Sequence, residues 1–198
     1  MEEALVAGLD RSGMRLMSHV SEPAHPSPMV GNVPSSGVST AEFRGAFANF
    51  TTTVSIIATD GPAGMAGLTC SAVCAVSDDP PLLLACVHGK NAANAAMKAN
   101  KVMSVSCLRA DQSELSQAFA GVGRLTVEER FALGEWHVLA TGAPCSTSAL
   151  ATLDCEIVDI RDVGTHSIFV GKVVATSARE AGEPLVYQRR AYATTRKL

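Results

Sequence analysis

The sequence predicts a mainly β fold with short helices, arranged as a barrel with helical insertions. Short runs rich in Val, Ile and Thr alternate apolar with small or polar side chains, the period of a strand with one face in a core. Turn signals such as Asp60-Gly61-Pro62-Ala63-Gly64 separate these runs. No β-α-β-α rhythm runs through the chain and no Gly-x-Gly-x-x-Gly follows a strand, so a doubly wound dinucleotide-binding domain is not indicated.

Residues 1–38 form an N-terminal arm in this reading, partly disordered or lying across a partner subunit, and 39–198 form the domain. The arm carries Pro23, Pro26, Pro28 and Pro34 without a sustained period. A short helix over Glu3 to Met17 is compatible with it. Ser39-Thr40-Ala41-Glu42 has the outline of a capping box, and Phe43, Phe47 and Phe50 follow at helical spacing as expected core anchors. Thr52 to Thr59 reads as a strand that turns at Asp60–Gly64 into a second strand, Met65 to Ser77. An acidic Pro-Pro corner at Asp78–Pro81 leads to the apolar run Leu82 to Val87. Asn91 caps a helix over Ala92 to Ala99. Lys101 to Leu108 is a further strand. Asp111 to His137 is helical and looped, with a short helix at Val127–Phe131. Ala149 to Ile160 and Ser167 to Thr176 are long strands. Pro184 to Tyr192 is read as a final strand, on which Arg189 and Arg190 alternate so that at most one faces a site.

Composition narrows the function classes. A length of 198 residues accommodates one core without staples, and the formal charge of −3 gives no basic face for nucleic acid. No apolar run approaches the roughly 20 residues of a membrane span. The N-terminus carries Glu2, Glu3 and Asp10 and lacks the basic start of a secretory signal, so a cytoplasmic enzyme is expected. The six cysteines, Cys70, Cys74, Cys86, Cys107, Cys145 and Cys155, lack metal or redox spacing and read as free thiols acting as small hydrophobes. No metal site is expected.

The chain is organised around Gly67–Cys86. Its first run, GLTCSAV, presents small and hydroxyl side chains on one face. That face suits either ordinary hairpin packing or a flat ligand held close to backbone. Lys90, between a strand end and a helix start, is either a solvated lysine or a phosphate contact. His166 is either a strand-end histidine bonding a carbonyl or a functional group at a mouth. Trp136 and His137 are either a lid or a packing anchor.

The phrases FRGAFANFTTTVSIIATDGPAGMAGLTCSAVCAVSDDPPLLLAC, LSQAFAG, VEERFAL and GTHSIFVGKV resemble the flavin reductase family, the reductase component of two-component flavin-dependent monooxygenases. The resemblance runs from about Phe43 to the C-terminus. The wording GLTCSAVC and LVYQRRAYATTRKL looks closest to reductases serving chlorophenol and related phenol monooxygenases. It implies a homodimeric split β-barrel, a Greek-key FMN-binding barrel. It implies an NAD(P)H-dependent flavin reductase in which NADH reduces FAD, or FMN, and the reduced flavin diffuses to an aromatic monooxygenase. The implied flavin positions are Thr52, Thr53, Thr69, Cys70, Ser71, Ala72 and Val73 near the ring. Ala75, Val76 and Ser77 would lie along the ribityl chain. Cys86, Val87, His88, Lys90, Asn91 and Asn94 would lie at the phosphate and adenosine end. The implied NADH positions are Gly164, Thr165, His166, Tyr187, Arg190 and Tyr192, with His166 as the catalytic candidate. Thr165 stands where the family often has Asp, and Asn91 and Asn94 where many relatives have Ser or Thr. Two rivals stay open: a reductase that keeps its flavin and acts directly on a corrinoid or ferric complex, and a non-catalytic flavin-binding dimer. No arginine pair is placed in sequence for a 2′-phosphate, which favours NADH over NADPH.

Overall fold

The computed structural model describes residues 37–196, so nearly all of the arm, including Glu3–Met17, lies outside the described residues. The order is α1 (Thr40–Phe47), β1 (Thr52–Thr53), β2 (Ser55–Thr59), β3 (Ala66–Cys70), β4 (Val73–Asp78), β5 (Pro81–His88), α2 (Ala92–Asn100) and β6 (Val102–Cys107). Then come α3 (Ser113–Phe119), a 3₁₀ turn (Val122–Arg124), α4 (Val127–Phe131), β7 (Trp136–His137), β8 (Cys145–Ser146), β9 (Ala151–Val163), β10 (His166–Ala178), β11 (Val186–Gln188) and β12 (Ala191–Ala193). None of the helices among these residues is long and apolar enough to cross a membrane.

Seven strands form one antiparallel sheet in the order β3-β2-β6-β9-β10-β5-β4. Strands β3 and β4 occupy opposite edges although only Ser71 and Ala72 separate them in the chain. In a flat sheet six strand spacings of about 4.8 Å would part those edges by roughly 29 Å. Three Cα steps reach only about 11 Å. The sheet therefore curls until its edges meet at this linker, where the Cys86 amide donates to the Ala72 carbonyl at 2.9 Å. No β3–β4 ladder closes it among the described residues, so the expected barrel is an open, curled sheet.

The curl encloses the main core: Ile57, Leu68, Leu83, Val87, Met103 and Phe169, with Met97 of α2 plugging one end. A second cluster lies on the outer face, where Ile56, Leu108, Leu115, Phe119 and Phe131 pack together. Trp136 lies 4.8 Å from the Phe131 ring, and its indole N–H donates to the Phe131 carbonyl at 2.9 Å, which makes it a packing anchor. Buried Asp154 accepts from the amides of Ala140 and Thr141 at 2.7 and 2.8 Å and so fixes the loop before β8.

Local chemistry sets the helix starts. Ser39 and Glu42 complete a capping box, as do Thr126 and Glu129, and the Asn91 side chain accepts from the Ala93 amide.

Four sequence expectations change. Thr52–Thr59 breaks at Val54, whose amide donates to Leu185 and whose carbonyl accepts from Leu108, so β1 leaves the large sheet to pair with β11. Met65–Ser77 is two strands, not one, split at the Ser71–Ala72 linker. Pro184–Tyr192 is a hairpin, not a strand, with Arg189 and Arg190 at its tip. Phe43, Phe47 and Phe50 are not core anchors: they are 59%, 52% and 63% exposed.

Gly67 marks the tightest approach of β3 to the outer cluster. A Cβ there would lie 2.7 Å from Cε1 of Phe119, a ring wedged against Phe131 and Trp136. Gly67→Ala is expected to destabilise the domain by about 1–3 kcal/mol, read as a lowered midpoint in chemical denaturation.

Candidate functional site

Two cavities open beside the Ser71–Ala72 linker. The inner one, about 460 Å³, lies on the concave face of the sheet between β4 and the strands β2, β6 and β9. Its walls are Thr51–Thr53, Ser55, Ser71, Val73, Cys74, Ala75, Val105, Cys107, Ala151 and Leu153. The cavity is a consequence of side-chain size. Elsewhere the same face carries Leu68, Leu83, Met103 and Phe169, which fill it. Ser, Ala and Cys at this end leave a slot of the size that holds a small ligand. No lining residue is charged.

The second cavity, about 580 Å³, lies between α1 and the β11–β12 hairpin. Phe43, Phe47 and Phe50 form one wall, their rings stacked at centroid spacings of 5.7 and 5.1 Å. Arg44, Tyr187, Gln188, Arg189 and Arg190 form the others. Thr52 and Ser71 line both cavities, so the two are continuous.

The structure thus brings together Thr52, Thr53, Ser71, Val73 and Ala75 at the inner cavity, and Tyr187 and Arg190 at the outer one. Tyr192 touches Tyr187 edge-on at 5.4 Å, and its hydroxyl is 2.9 Å from that of Ser116. Other predicted side chains serve the framework. The Thr69 hydroxyl donates to the Ser116 carbonyl at 2.6 Å, Cys70 and Val87 are buried, and Asn91 caps α2. Asn94 is 2% exposed; its amide donates to Val87 at 3.1 Å and its carbonyl accepts from Ser167. Lys98 and Ser167 both donate to Asp162, which holds that carboxyl below its ordinary range and ties α2 to the β9–β10 hairpin. Ala72 supplies backbone to the linker, half-buried Cys86 abuts it, and Val76 and Ser77 lie at the irregularity in β4.

His88 and His166 are cross-strand partners whose rings meet edge-on at 5.1 Å. The Lys90 amide donates to His88 Nδ1 at 3.1 Å, which leaves the neutral ring's proton on Nε2. The Thr165 hydroxyl is 2.9 Å from His166 Nδ1. Gly164, at φ +57°, makes the turn that presents Thr165, whose carbonyl accepts from Gly89. His88, Lys90, Gly164, Thr165 and His166 therefore form one exposed corner. It borders neither cavity; His88 is two residues along β5 from Cys86, the residue bonded to the linker.

Ser55, Cys107 and Ala151 are not among the predicted site residues. Their signal was small size at concave-face positions, visible only once the faces are known. Arg44, Arg189 and the phenylalanines are not among the predicted site residues; because the hairpin turns at Arg189-Arg190, both line one cavity together with Arg44, which corrects the expectations that at most one of the two faces a site and that the chain places no arginine pair.

Five of the thiols are shifted away from the reactive thiolate form. Burial raises Cys70 to about 11, Cys145 to about 11 and Cys155 to about 12, and pushes Cys86 and Cys107 up as well. Among the described residues no cluster of His, Cys, Asp and Glu could hold a metal ion. The cavity walls offer shape, hydroxyls, thiols and cations, a set suited to holding a cofactor that brings its own reactivity. A neutral slot walled by small side chains fits a flat ring system.

Comparison with known proteins bears on which cofactor that is. The chain is 43% identical over 155 residues to a protein of Ancylobacter novellus named FMN reductase (NADH) RutF, covering 78% of this chain and 84% of that one. The structure of BorF, the flavin reductase component of a bacterial two-component tryptophan halogenase, superposes with a TM-score of 0.74 at 30% identity, covering 81% of this chain and all of that one. The NADH:FAD oxidoreductase SgcE6 of Streptomyces globisporus superposes with a TM-score of 0.73 at 26% identity, over 84% and 95% of the two chains. Residues 47–196, nearly the whole described domain, match the family described as flavin reductase like domain, and the chain belongs to that family.

Proposed function

We propose that this protein is an NADH-dependent flavin reductase that takes FMN as its flavin, with FAD the alternative, and releases the reduced flavin to a separate oxygenase. The observation that carries the reading is the uncharged slot of small side chains at the split in the sheet, continuous with a second, cationic cavity. FMN is preferred here, although the sequence reading put FAD first, because the relative that is 43% identical is named for FMN. SgcE6, named for FAD, keeps the alternative open.

The flavin, once bound, accepts the reducing equivalents of the nicotinamide. The chain's own residues do the rest. Ser71, Val73 and Ala75 line one side of the slot and Cys107 and Ala151 another, and their short side chains leave the room between them that a ring would take. Thr52 and Ser71, shared by both cavities, border the position where the two ligands meet. The corner of His88, Lys90 and His166 lies just beyond the linker and supplies exposed donors for a phosphate or nucleotide group. We assign His166 to the nucleotide. The same reading carries a homodimeric split barrel in the cytoplasm; the curl imposed at Ser71–Ala72 supports the barrel. A two-component partnership is supported by the printed name of BorF, and its phenol-type version by the tail LVYQRRAYATTRKL.

Purified protein is expected to oxidise NADH only when free flavin is added, with FMN the better acceptor. Absence of flavin-stimulated NADH consumption with either flavin would sink the reading. Flavin that stays bound through turnover would favour direct reduction of another acceptor.

Filling the slot tests its assignment. Ala151→Leu puts a larger side chain into open space and should leave the denaturation midpoint close to the parent's. It should weaken FMN binding at least about tenfold, measured by quenching of flavin fluorescence.

For His166→Ala, the apparent KM for NADH is expected to rise more than that for flavin in steady-state assays. The reverse order would assign the corner to the flavin phosphate instead.

A further inference from the structure

One pair of thiols stands apart from the rest. Cys74 is exposed on β4 and belongs to the wall of the slot. Cys86 is half-buried on the neighbouring strand β5. The register pairs Val73 with Ala85 and Cys74 with Leu84, and the Cys86 amide bonds the Ala72 carbonyl. Side chains two residues apart on a strand share a face, so Cys86 is the diagonal neighbour of Cys74 on one face of this hairpin. Burial pushes the Cys86 thiol up, and the charge of a Cys74 thiolate beside it adds to the shift. Cys70 is not the partner. It lies in the core cluster with Leu83, Ala85 and Val87, on the opposite face of β5 from the Cys86 side chain, and its own thiol donates to the Cys86 carbonyl at 3.6 Å.

Diagonal neighbours lie about 7–8 Å apart in such a ladder, roughly 1 Å beyond the span of a disulfide. Strand β4 has the freedom to make that shift. It is an edge strand paired with β5 alone, and its register slips between Ala75 and Ser77, so no second ladder holds it. Val73 and Ala75 flank Cys74, line the slot and move with it.

We propose that Cys74 and Cys86 form a peroxide-oxidised dithiol, a modification site whose disulfide displaces the slot wall and weakens flavin binding. Cys74, the exposed thiol, reacts first: its sulfur takes one oxygen of hydrogen peroxide, the O–O bond breaks and one water leaves. The Cys86 sulfur then attacks the Cys74 sulfenic acid; the S–S bond forms, the S–O bond breaks and a second water leaves. The two thiols give up two electrons and two protons, and the peroxide is reduced to two waters. The oxidant is a by-product of the proposed reaction: reduced flavin released into aerated solution passes two electrons and two protons to dioxygen and forms hydrogen peroxide. That source rests on the reductase reading; the chemistry of the pair does not. A bond formed this way slows flavin reduction when reduced flavin outruns its acceptor.

The test is peptide mapping joined to flavin titration. Purified protein is reduced, freed of reductant and treated with hydrogen peroxide. Cleavage before Asp78 and after Lys90 separates Cys86 from Cys70 and Cys74. A fragment joined through Cys74 and Cys86 is expected, and FMN binding, read by quenching of flavin fluorescence, should weaken at least about tenfold. Dithiothreitol should restore it. Cys74→Ser and Cys86→Ser, each compared with its own untreated form, should lose both the cross-link and the response to peroxide. No Cys74–Cys86 bond in the parent, a bond to Cys70 instead, or a bond that leaves FMN binding unchanged overturns the proposal. An equal response in Cys86→Ser assigns the effect to Cys74 alone and overturns the pair. Turnover with NADH, FMN and dioxygen should form the same bond, and catalase should prevent it. The two readings fail separately: a bond formed by added peroxide without any flavin-stimulated NADH oxidation upholds the dithiol and sinks the reductase, whereas normal flavin reduction with no bond after added peroxide sinks the dithiol alone.

Discussion

Ser71 and Ala72 join the two edges of a seven-stranded sheet, and almost every other feature depends on that short bridge. Because two residues cannot span a flat sheet of that width, the strands must curl, and the curl creates a concave face to fill. Leu, Met, Ile and Phe fill most of it, and α2 closes one end. Near the bridge the side chains shrink to Ser, Ala, Thr and Cys, and the core gives way to a slot. The absence of a β3–β4 ladder keeps the slot open: a full ladder would satisfy the edges with hydrogen bonds but would also seal the entrance.

The same allocation explains the cysteines. Cys107 faces the slot, Cys70 lies at its edge and Cys155 in the core behind it. Burial pushes the thiols of all three up. They act there as small apolar groups with a weak donor, which is what a close-fitting wall needs. A slot with no charged side chain on its walls contributes position and shape to a bound ligand.

The local chemistry was legible in the sequence. Ser39 with Glu42 signalled one helix start, Asn91 the second, and Asp60–Gly64 the hairpin, because each depends only on neighbours within a few residues. What depends on distant partners was not. Alternation runs unbroken through Ser71–Ala72, so nothing in the pattern says that the residues on either side belong to opposite sheet edges. Phe43, Phe47 and Phe50 have the spacing of a buried stripe, and spacing identifies a face without saying what covers it. Arg189-Arg190 lacks the Asn or Gly that marks a two-residue turn, so the hairpin read as one strand. Each of these hid part of the outer cavity, while Ser71, Val73 and Ala75, whose small size is a local signal, line the inner one.

The position of Thr52 and Ser71 carries one more step. Thr52 lies on β1, which leaves the large sheet because Val54 turns its backbone to Leu185 and Leu108. Ser71 lies on the bridge. The two residues approach the same space from different sheets, and each borders both cavities. Bulk at either position would separate the cavities, while a short hydroxyl keeps them joined and offers a hydrogen bond at the join. Transfer between two bound ring systems requires that they touch without water between them. Among the described residues Thr52 and Ser71 are the two that line both the neutral slot and the cationic cavity, and under the proposed function that join, fixed by the bridge that curls the sheet, is where two bound rings would meet.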